Sequence, residues 1–194
     1  MILNSLPAGQ ANRICLLGAG NCNDVDLRVL AGRCAEILLV DLDAEAMARG
    51  VAHQGLAEDS TVTCLSGVDL TGLFTRLESL PPGSAPVEQL VRAAELHSPP
   101  ELKGGFHVVA SLCLLSQLVD AVLQRIPNQQ IAIDLIQVVR QRHLQLLLSQ
   151  CTQGGSAILF TEIVSSDTAP QLVQTDNCER SVNYRVRFIV AFAC

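Results

Sequence analysis

Two aliphatic runs, a glycine turn between them and one intervening helical segment constrain this chain more than any other feature. Arg13-Ile14-Cys15-Leu16-Leu17 reads as a strand that breaks at Gly18-Ala19-Gly20-Asn21-Cys22-Asn23-Asp24, and Ile37-Leu38-Leu39-Val40 reads as a second strand ending at Asp41-Leu42-Asp43. Between them Leu27, Leu30, Ala31 and Cys34 recur at i, i+3, i+4 and i+7, the spacing of one helix face. Strand, turn, helix and strand make a βαβ unit, so the two strands are expected to lie parallel in one sheet.

The chemistry of the turn bounds its ligand. Gly18 and Gly20 allow a sharp bend and a close approach without a Cβ in the way, and the helix that follows presents unpaired N–H groups. Asp41 stands 23 positions after the first glycine, near the spacing of roughly 20 at which a carboxylate meets ribose hydroxyls. Such a carboxylate accepts from a diol and repels a 2′-phosphate. A dinucleotide-binding turn needs a third glycine where this chain has Asn23, and Asp24 puts a negative charge where a pyrophosphate would sit. The turn therefore suits a nucleoside without phosphates, carrying a positive centre and a zwitterionic amino-acid tail.

Composition agrees with a sheet covered on both faces. Apolar residues make up 49% of the 194 and aromatics only 3%, with no Trp, so the core must be built from Leu, Val, Ile and Ala, as in α/β proteins. The formal charge of −6, with Lys103 as the single lysine and arginines scattered, offers no basic stripe for nucleic acid. Eight cysteines form no CxxC pair and mostly sit in apolar runs, and the amino terminus has neither a basic segment nor a sustained apolar one, which together predict a reducing cytoplasm. The longest apolar stretch, residues 106 to 123, is interrupted by Ser111, Gln117 and Asp120, so no membrane span is expected. His53, His97, His107 and His143 show no metal-ligand spacing, and neither a GxSxG elbow nor a phosphate-binding GxxxxGK[ST] loop is present.

Further elements follow in order. Residues 1 to 12 read as a loose arm. Asp43 is placed to cap a helix with Ala44, Met47 and Val51 on one face and Gly55 at its end. Residues 61 to 65 read as strand three, ending at Ser66-Gly67-Val68-Asp69-Leu70-Thr71-Gly72. Residues 71 to 104 read as an elaborated crossover, with breaks at residues 81 to 86 and 98 to 100 around a helix carrying Val87, Leu90, Val91 and Ala94. Strand four is expected over residues 106 to 111, running through Leu112 and Cys113 into a helix. Leu135, Val138, Val139, Leu146 and Leu147 mark another helix, expected to end at Thr152-Gln153-Gly154-Gly155, before strand five over residues 156 to 164. Residues 165 to 183 are turn-rich, and residues 184 to 193 read as a last strand.

Leu16-Leu17-Gly18-Ala19-Gly20-Asn21, followed by Val40-Asp41-Leu42-Asp43, resembles motif I and the acidic second-strand end of the class I S-adenosylmethionine-dependent methyltransferases. The resemblance implies an α/β, three-layer Rossmann-like methyltransferase fold with a mostly parallel sheet, whose C-terminal strands are incomplete in this chain. It implies one domain over 1–194, with a core at 13–164 and a tail at 165–194. It also implies S-adenosyl-L-methionine as cofactor, bound by Gly18, Ala19, Gly20, Asn21, Asp41 and Leu42, with Asp69 and Leu70 at the adenine. Asp69 is equally placed to cap a helix starting at Leu70. Ser111 would be the strand-four end facing the methyl group, and here the chain departs from the family's nucleic-acid-methylating members: Ser111-Leu112-Cys113-Leu114 replaces Asn/Asp-Pro-Pro-aromatic.

In-line transfer of an activated methyl needs alignment more than an acid–base pair, so catalytic residues are not legible. Ser111, Gln117 and Glu162 are candidates to face the acceptor, and each also fits a capping or supporting role. Cys113, at a strand-to-helix turn, reads as a buried structural cysteine or a reactive thiol. The expected acceptor is a small molecule rather than nucleic acid, and a homodimer through the apolar final strand would cover an otherwise free edge. Two other readings stand: a methyltransferase-fold binding module without activity, and an NAD-binding Rossmann oxidoreductase.

Overall fold

A computed structural model describes residues 2–8, 11–73, 76, 87–165 and 185–193. The expected break at residues 81 to 86, the turn-rich residues 166 to 183 and Tyr184 lie outside them. After a short 3₁₀ turn at Ile2–Ser5 come β1 (Asn12–Leu17), α1 (Leu27–Ala31), β2 (Cys34–Asp41), α2 (Ala44–His53), β3 (Val62–Ser66), α3 (Val87–Leu96), β4 (Phe106–Leu112), α4 (Leu114–Arg125), α5 (Gln129–Ser149), β5 (Cys151–Ser165) and β6 (Arg185–Ala193). The strands form one sheet in the order β3-β2-β1-β4-β5-β6. All neighbours are parallel except the last pair, where β6 runs antiparallel to β5. This is the Rossmann-like, mostly parallel sheet that the methyltransferase resemblance implies.

Period-two alternation explains the layers. Ile14, Leu16, Ile37, Leu39, Val108, Ala110 and Ile158 point to one face, where Leu27 and Leu30 of α1 and Met47 and Val51 of α2 cover them. Cys15, Leu17, Val40, Val109 and Ala157 point to the other, beneath Leu147 of α5. Outside that layer, α3, α4 and α5 meet through Leu90, Ala94, Val122, Ile126, Leu135 and Val139. The inner strands are apolar at nearly every position because both faces are buried. β3, at the sheet edge, is half-buried to exposed throughout.

Register aligns the strand ends. Leu17 sits opposite Val40 and Ser111, Asp41 opposite Ser66, and Ser111 opposite Leu159. The turns after β1, β2 and β3 thus leave the same edge of the sheet, where the reversal of chain order between β1 and β4 opens a crevice. At the opposite edge Arg13 and Glu36 tie β1 to β2 through a 2.6 Å ion pair.

Three expectations change. The amino-terminal segment is not a loose arm: Ile2 and Leu6 are buried in the core on the α1–α2 face of the sheet, and Asn12 opens β1. Cys34 opens β2 instead of closing the first helix: the Gly32 N–H turns back to the Arg28 carbonyl, ending α1 after five residues, and the chain must then reach Asn12, the partner of Cys34. The leucine-rich helix α5 ends at Ser149, and the glycine pair falls within β5. Between the pairs Phe106↔Cys151 and Val108↔Ser156 the register shifts, and Gly154 takes φ +78° in that irregularity. A Cβ on Gly155 would lie 2.9–3.2 Å from the carbonyl oxygens of Thr152, His107 and Phe106. Glycine is needed there because the backbone of β5 closes onto β4.

Gly155→Ala is therefore expected to lower unfolding stability by about 2 kcal/mol, the size of a packing clash against backbone, as read by urea denaturation. An exposed alanine substitution such as Gln137→Ala should change it by less than about 0.5 kcal/mol.

Candidate functional site

The turn after β1 is held by its neighbours on the sheet. The Gly18 and Ala19 N–H groups both donate to the Val40 carbonyl, at 2.9 and 3.2 Å, so the turn leans over the end of β2. Asp41 then receives it: Oδ2 accepts from the Gly20 N–H at 2.8 Å, and Oδ1 accepts from the Asp43 N–H at 2.9 Å. Gly18 and Gly20 take φ +73° and +48°, conformations that a side chain would strain. A Cβ on Gly18 would strike the Leu114 side chain at 2.8 Å, whereas one on Gly20 would meet nothing within 4 Å. One glycine serves close packing beneath α4, and the other leaves open space above the turn.

Two residues that sequence reasoning passed over complete the support. A Cβ on Gly50, inside α2, would lie 2.2 Å from the Asn21 carbonyl oxygen, so glycine here lets helix and turn touch backbone to backbone. Gln54, just past the same helix, donates to the Cys22 and Val25 carbonyls at 3.0 Å each and accepts from the Leu27 N–H at 2.7 Å. The available signal was a glycine in the interior of an otherwise good helix, which usually has a packing reason.

Beyond the strand ends lies a cleft of about 290 Å³, lined by Gly18, Asp41, Leu42, Asp43, Val68, Asp69, Leu70, Leu114, Gln117, Leu118 and Ala121. Its α4 wall is one helix face, Leu114, Gln117, Leu118 and Ala121, at i, i+3, i+4 and i+7. Its opposite wall is the segment after β3. There Asp69 Oδ1 accepts from the Thr71 N–H (2.9 Å), the Thr71 hydroxyl (2.7 Å) and the Gly72 N–H (3.1 Å), closing a turn; residues 70 to 72 form a bend and not a helix. Among the described residues the lining thus contains three carboxylates and no lysine or arginine.

Of the residues singled out from sequence, Gly18, Asp41, Leu42, Asp69 and Leu70 converge on this cleft. Ala19, Gly20 and Asn21 belong to the turn beside it without lining it. Ser111 is fully buried on the α5 side of the sheet, where its hydroxyl lies 2.8 Å from Nε2 of His143. Burial pushes His143 down to about 4, and its Nδ1 has no hydrogen-bond partner among the described residues. Gln117 lines the cleft. Cys113 is buried with φ +55°, its N–H donating to the Phe160 carbonyl at 3.0 Å. Cys22, at φ 56° in the glycine turn, has its thiol raised to about 11, chiefly by burial.

The amino end of α1 is already satisfied. Asp26 Oδ1 accepts from the Arg28 and Val29 N–H groups at 3.1 and 3.2 Å, and Gln54 takes that of Leu27. A carboxylate thus occupies the place where a dinucleotide fold presents helix N–H groups to a pyrophosphate. Among the described residues no three of His, Cys, Asp and Glu gather as a metal site requires. No helix among them is long and apolar enough to cross a membrane.

No protein-family model matches the chain, and no curated protein matches it. Solved structures do. The [4+2]-cyclase SpnF is 14% identical, with 82% of this chain and 42% of that one covered at a TM-score of 0.47. An rRNA methylase from Streptococcus thermophilus is 9% identical, with 94% and 86% covered and a TM-score of 0.47. Phosphoethanolamine N-methyltransferase 1 of Haemonchus contortus, solved with phosphoethanolamine and S-adenosylhomocysteine, is 12% identical, with 83% and 24% covered and a TM-score of 0.44. The chain spans less than half the length of the first and third of these.

Gly50→Ala should push the turn off α2 and cost about 1–3 kcal/mol net of the helix-propensity gain. Faster amide exchange at Gly20 to Cys22 is the local readout. The pH profile tests His143. Its pKa is lower folded than unfolded, so the unfolded chain binds the extra proton and stability falls as pH drops from about 6.5 toward 4. Between pH 6.5 and 4.5 the loss is expected to be about 2 kcal/mol, and His143→Gln should remove that part of the slope in urea titrations.

Proposed function

We propose that this chain binds S-adenosyl-L-methionine in the cleft between the segments after β2 and β3 and the α4 face, and transfers its methyl group to a small-molecule acceptor. The observation that carries the reading is the character of that lining: aliphatic walls from Leu42, Val68, Leu70, Leu114 and Leu118, three carboxylates and, among the described residues, no cation. An uncharged purine fits between the aliphatic walls, and the Asp41 carboxylate retains lone pairs for a diol beyond the two backbone N–H groups it already accepts. A positively charged sulfonium gains from the three carboxylates, whereas a diphosphate is repelled by them and finds the α1 terminus filled by Asp26. This is why the dinucleotide alternative is set below the methyltransferase one.

Bound S-adenosylmethionine supplies an electrophile that needs no further activation. The chain's part is to hold the adenosine at Asp41, Leu42, Asp69 and Leu70, to keep water off with the α4 face, and to leave the space above Gly20 open for the remainder. The net charge of −6 and the lack of a basic stripe support a small acceptor over nucleic acid. A second reading, binding without turnover, draws on Leu114, which is seated on Gly18 at the edge of the cleft.

Calorimetry against S-adenosylhomocysteine and NAD separates the readings of the ligand. Micromolar affinity for the first and none for the second at millimolar concentration is expected, and Asp41→Asn should weaken the first by at least about tenfold. A preference for NAD would end the proposal. Methyl release from labelled S-adenosylmethionine across a metabolite panel then separates enzyme from module.

A further inference from the structure

His97 lies outside every motif read from the sequence, just past the end of α3, yet it is joined to the cleft by hydrogen bonds. Its Nε2 lies 2.6 Å from the Asp69 carbonyl oxygen. A carbonyl can only accept, so the ring carries its proton on Nε2 and donates it there. The histidine side chain also packs against the turn that follows: a Cβ on Gly72 would come within 2.6 Å of His97 Cγ, and Gly72 takes φ +67°. Glycine at 72 is what lets the imidazole seat on the turn.

The histidine is itself anchored from α5. Arg142 donates to the His97 carbonyl at 2.8 Å and, through its other terminal nitrogen, to Gln145 Oε1 at 2.8 Å. A chain of contacts thus runs from α5 through His97 to Asp69, whose carboxylate in turn closes the Thr71 and Gly72 N–H groups. Val68, Asp69 and Leu70 all line the cleft, beyond the end of β3 at Ser66. The Val68 N–H reaches the Asp41 carbonyl, at the end of β2, at 3.4 Å.

We propose that His97 is a positioning residue for the cleft, fixing the Asp69–Leu70 wall by donating to the Asp69 carbonyl while Arg142 holds His97 to α5. The consequence for ligand affinity rests on the adenosine reading above; the latch itself does not. Removing the donor takes away the 2.6 Å bond to the Asp69 carbonyl and leaves a gap against Gly72, so the wall relaxes into the cleft or out of it. A glutamine at 97 can donate from Nε2 across a similar reach, which a purely space-filling role would not reward.

The test measures S-adenosylhomocysteine binding by calorimetry, and amide exchange at residues 68 to 72 without ligand, on the full chain and its His97→Ala and His97→Gln variants. Expected are about tenfold weaker binding for His97→Ala, recovery to within about threefold by His97→Gln, and faster exchange confined to the turn in the alanine variant alone. Unchanged affinity of His97→Ala, in a chain whose unsubstituted form binds, overturns the positioning role and leaves the cofactor reading intact. If the unsubstituted chain does not bind, that reading fails, and the exchange data decide the latch: acceleration reversed by glutamine sustains it, and no acceleration overturns it. Should the alanine variant lose its cooperative melt, His97→Gln against His97→Leu makes the same comparison, and equal affinity of those two overturns the proposal.

Discussion

Where β1 and β2 end, their backbones leave the sheet ladder and new partners must be found for the N–H groups that follow. The Asp41 carboxylate takes one from each side, Gly20 across the crevice and Asp43 in its own chain. Hydrogen bonds to an ionised acceptor are each worth about 1.5–3 kcal/mol, so this one side chain sets the distance between the glycine turn and the start of α2. The cleft wall, the seat of Gly50 against Asn21 and the reach of Gln54 to residues 22–27 all presuppose that distance.

Asp41 thereby braces the turn and lines the cleft at once. A carboxylate offers about four lone-pair positions, and two are spent on backbone donors in this arrangement. What remains points a negative charge into a cleft already bordered by Asp43 and Asp69, with aliphatic side chains for the rest. On the proposed reading such a lining selects by charge and by shape rather than by many hydrogen bonds. On that reading it favours a sulfonium nucleoside over a diphosphate more sharply than the glycine pattern can, since the glycines permit either.

Ser111 and His143 illustrate how a strand end can be read correctly in place and differently in direction. Ser111 stands level with Leu17 and Leu159, as a residue at the end of β4 should. Strand alternation, however, turns its side chain to the same face as Val109, under α5, where His143 meets it at 2.8 Å. The residues that do border the cleft from this part of the chain come from the helix that follows, Leu114, Gln117, Leu118 and Ala121. Their helical spacing was visible, but which face of α4 meets the cleft depends on how α4 lies against α3 and α5.

Local chemistry was enough to place β1, β2, the capping role of Asp43, the glycine turn and the alternation that buries both sheet faces, because each depends on residues within one or two turns of chain. The three-layer parallel architecture followed, since a helix between two aliphatic strands has few other ways to bury both. Tertiary packing alone decided that α1 stops at Ala31 so that Cys34 can pair with Asn12, that Gly154 and Gly155 lie inside β5, and that Gly50, Gln54 and His97 support the cleft. Those roles join positions far apart in the chain, 22 residues for Asn12 to Cys34, 27 for Leu27 to Gln54 and 28 for Asp69 to His97, and the Arg13 to Gly105 bond spans 92. Contacts of that range leave no periodicity or motif in the chain; they exist only once the sheet has brought distant backbones within a hydrogen bond of each other.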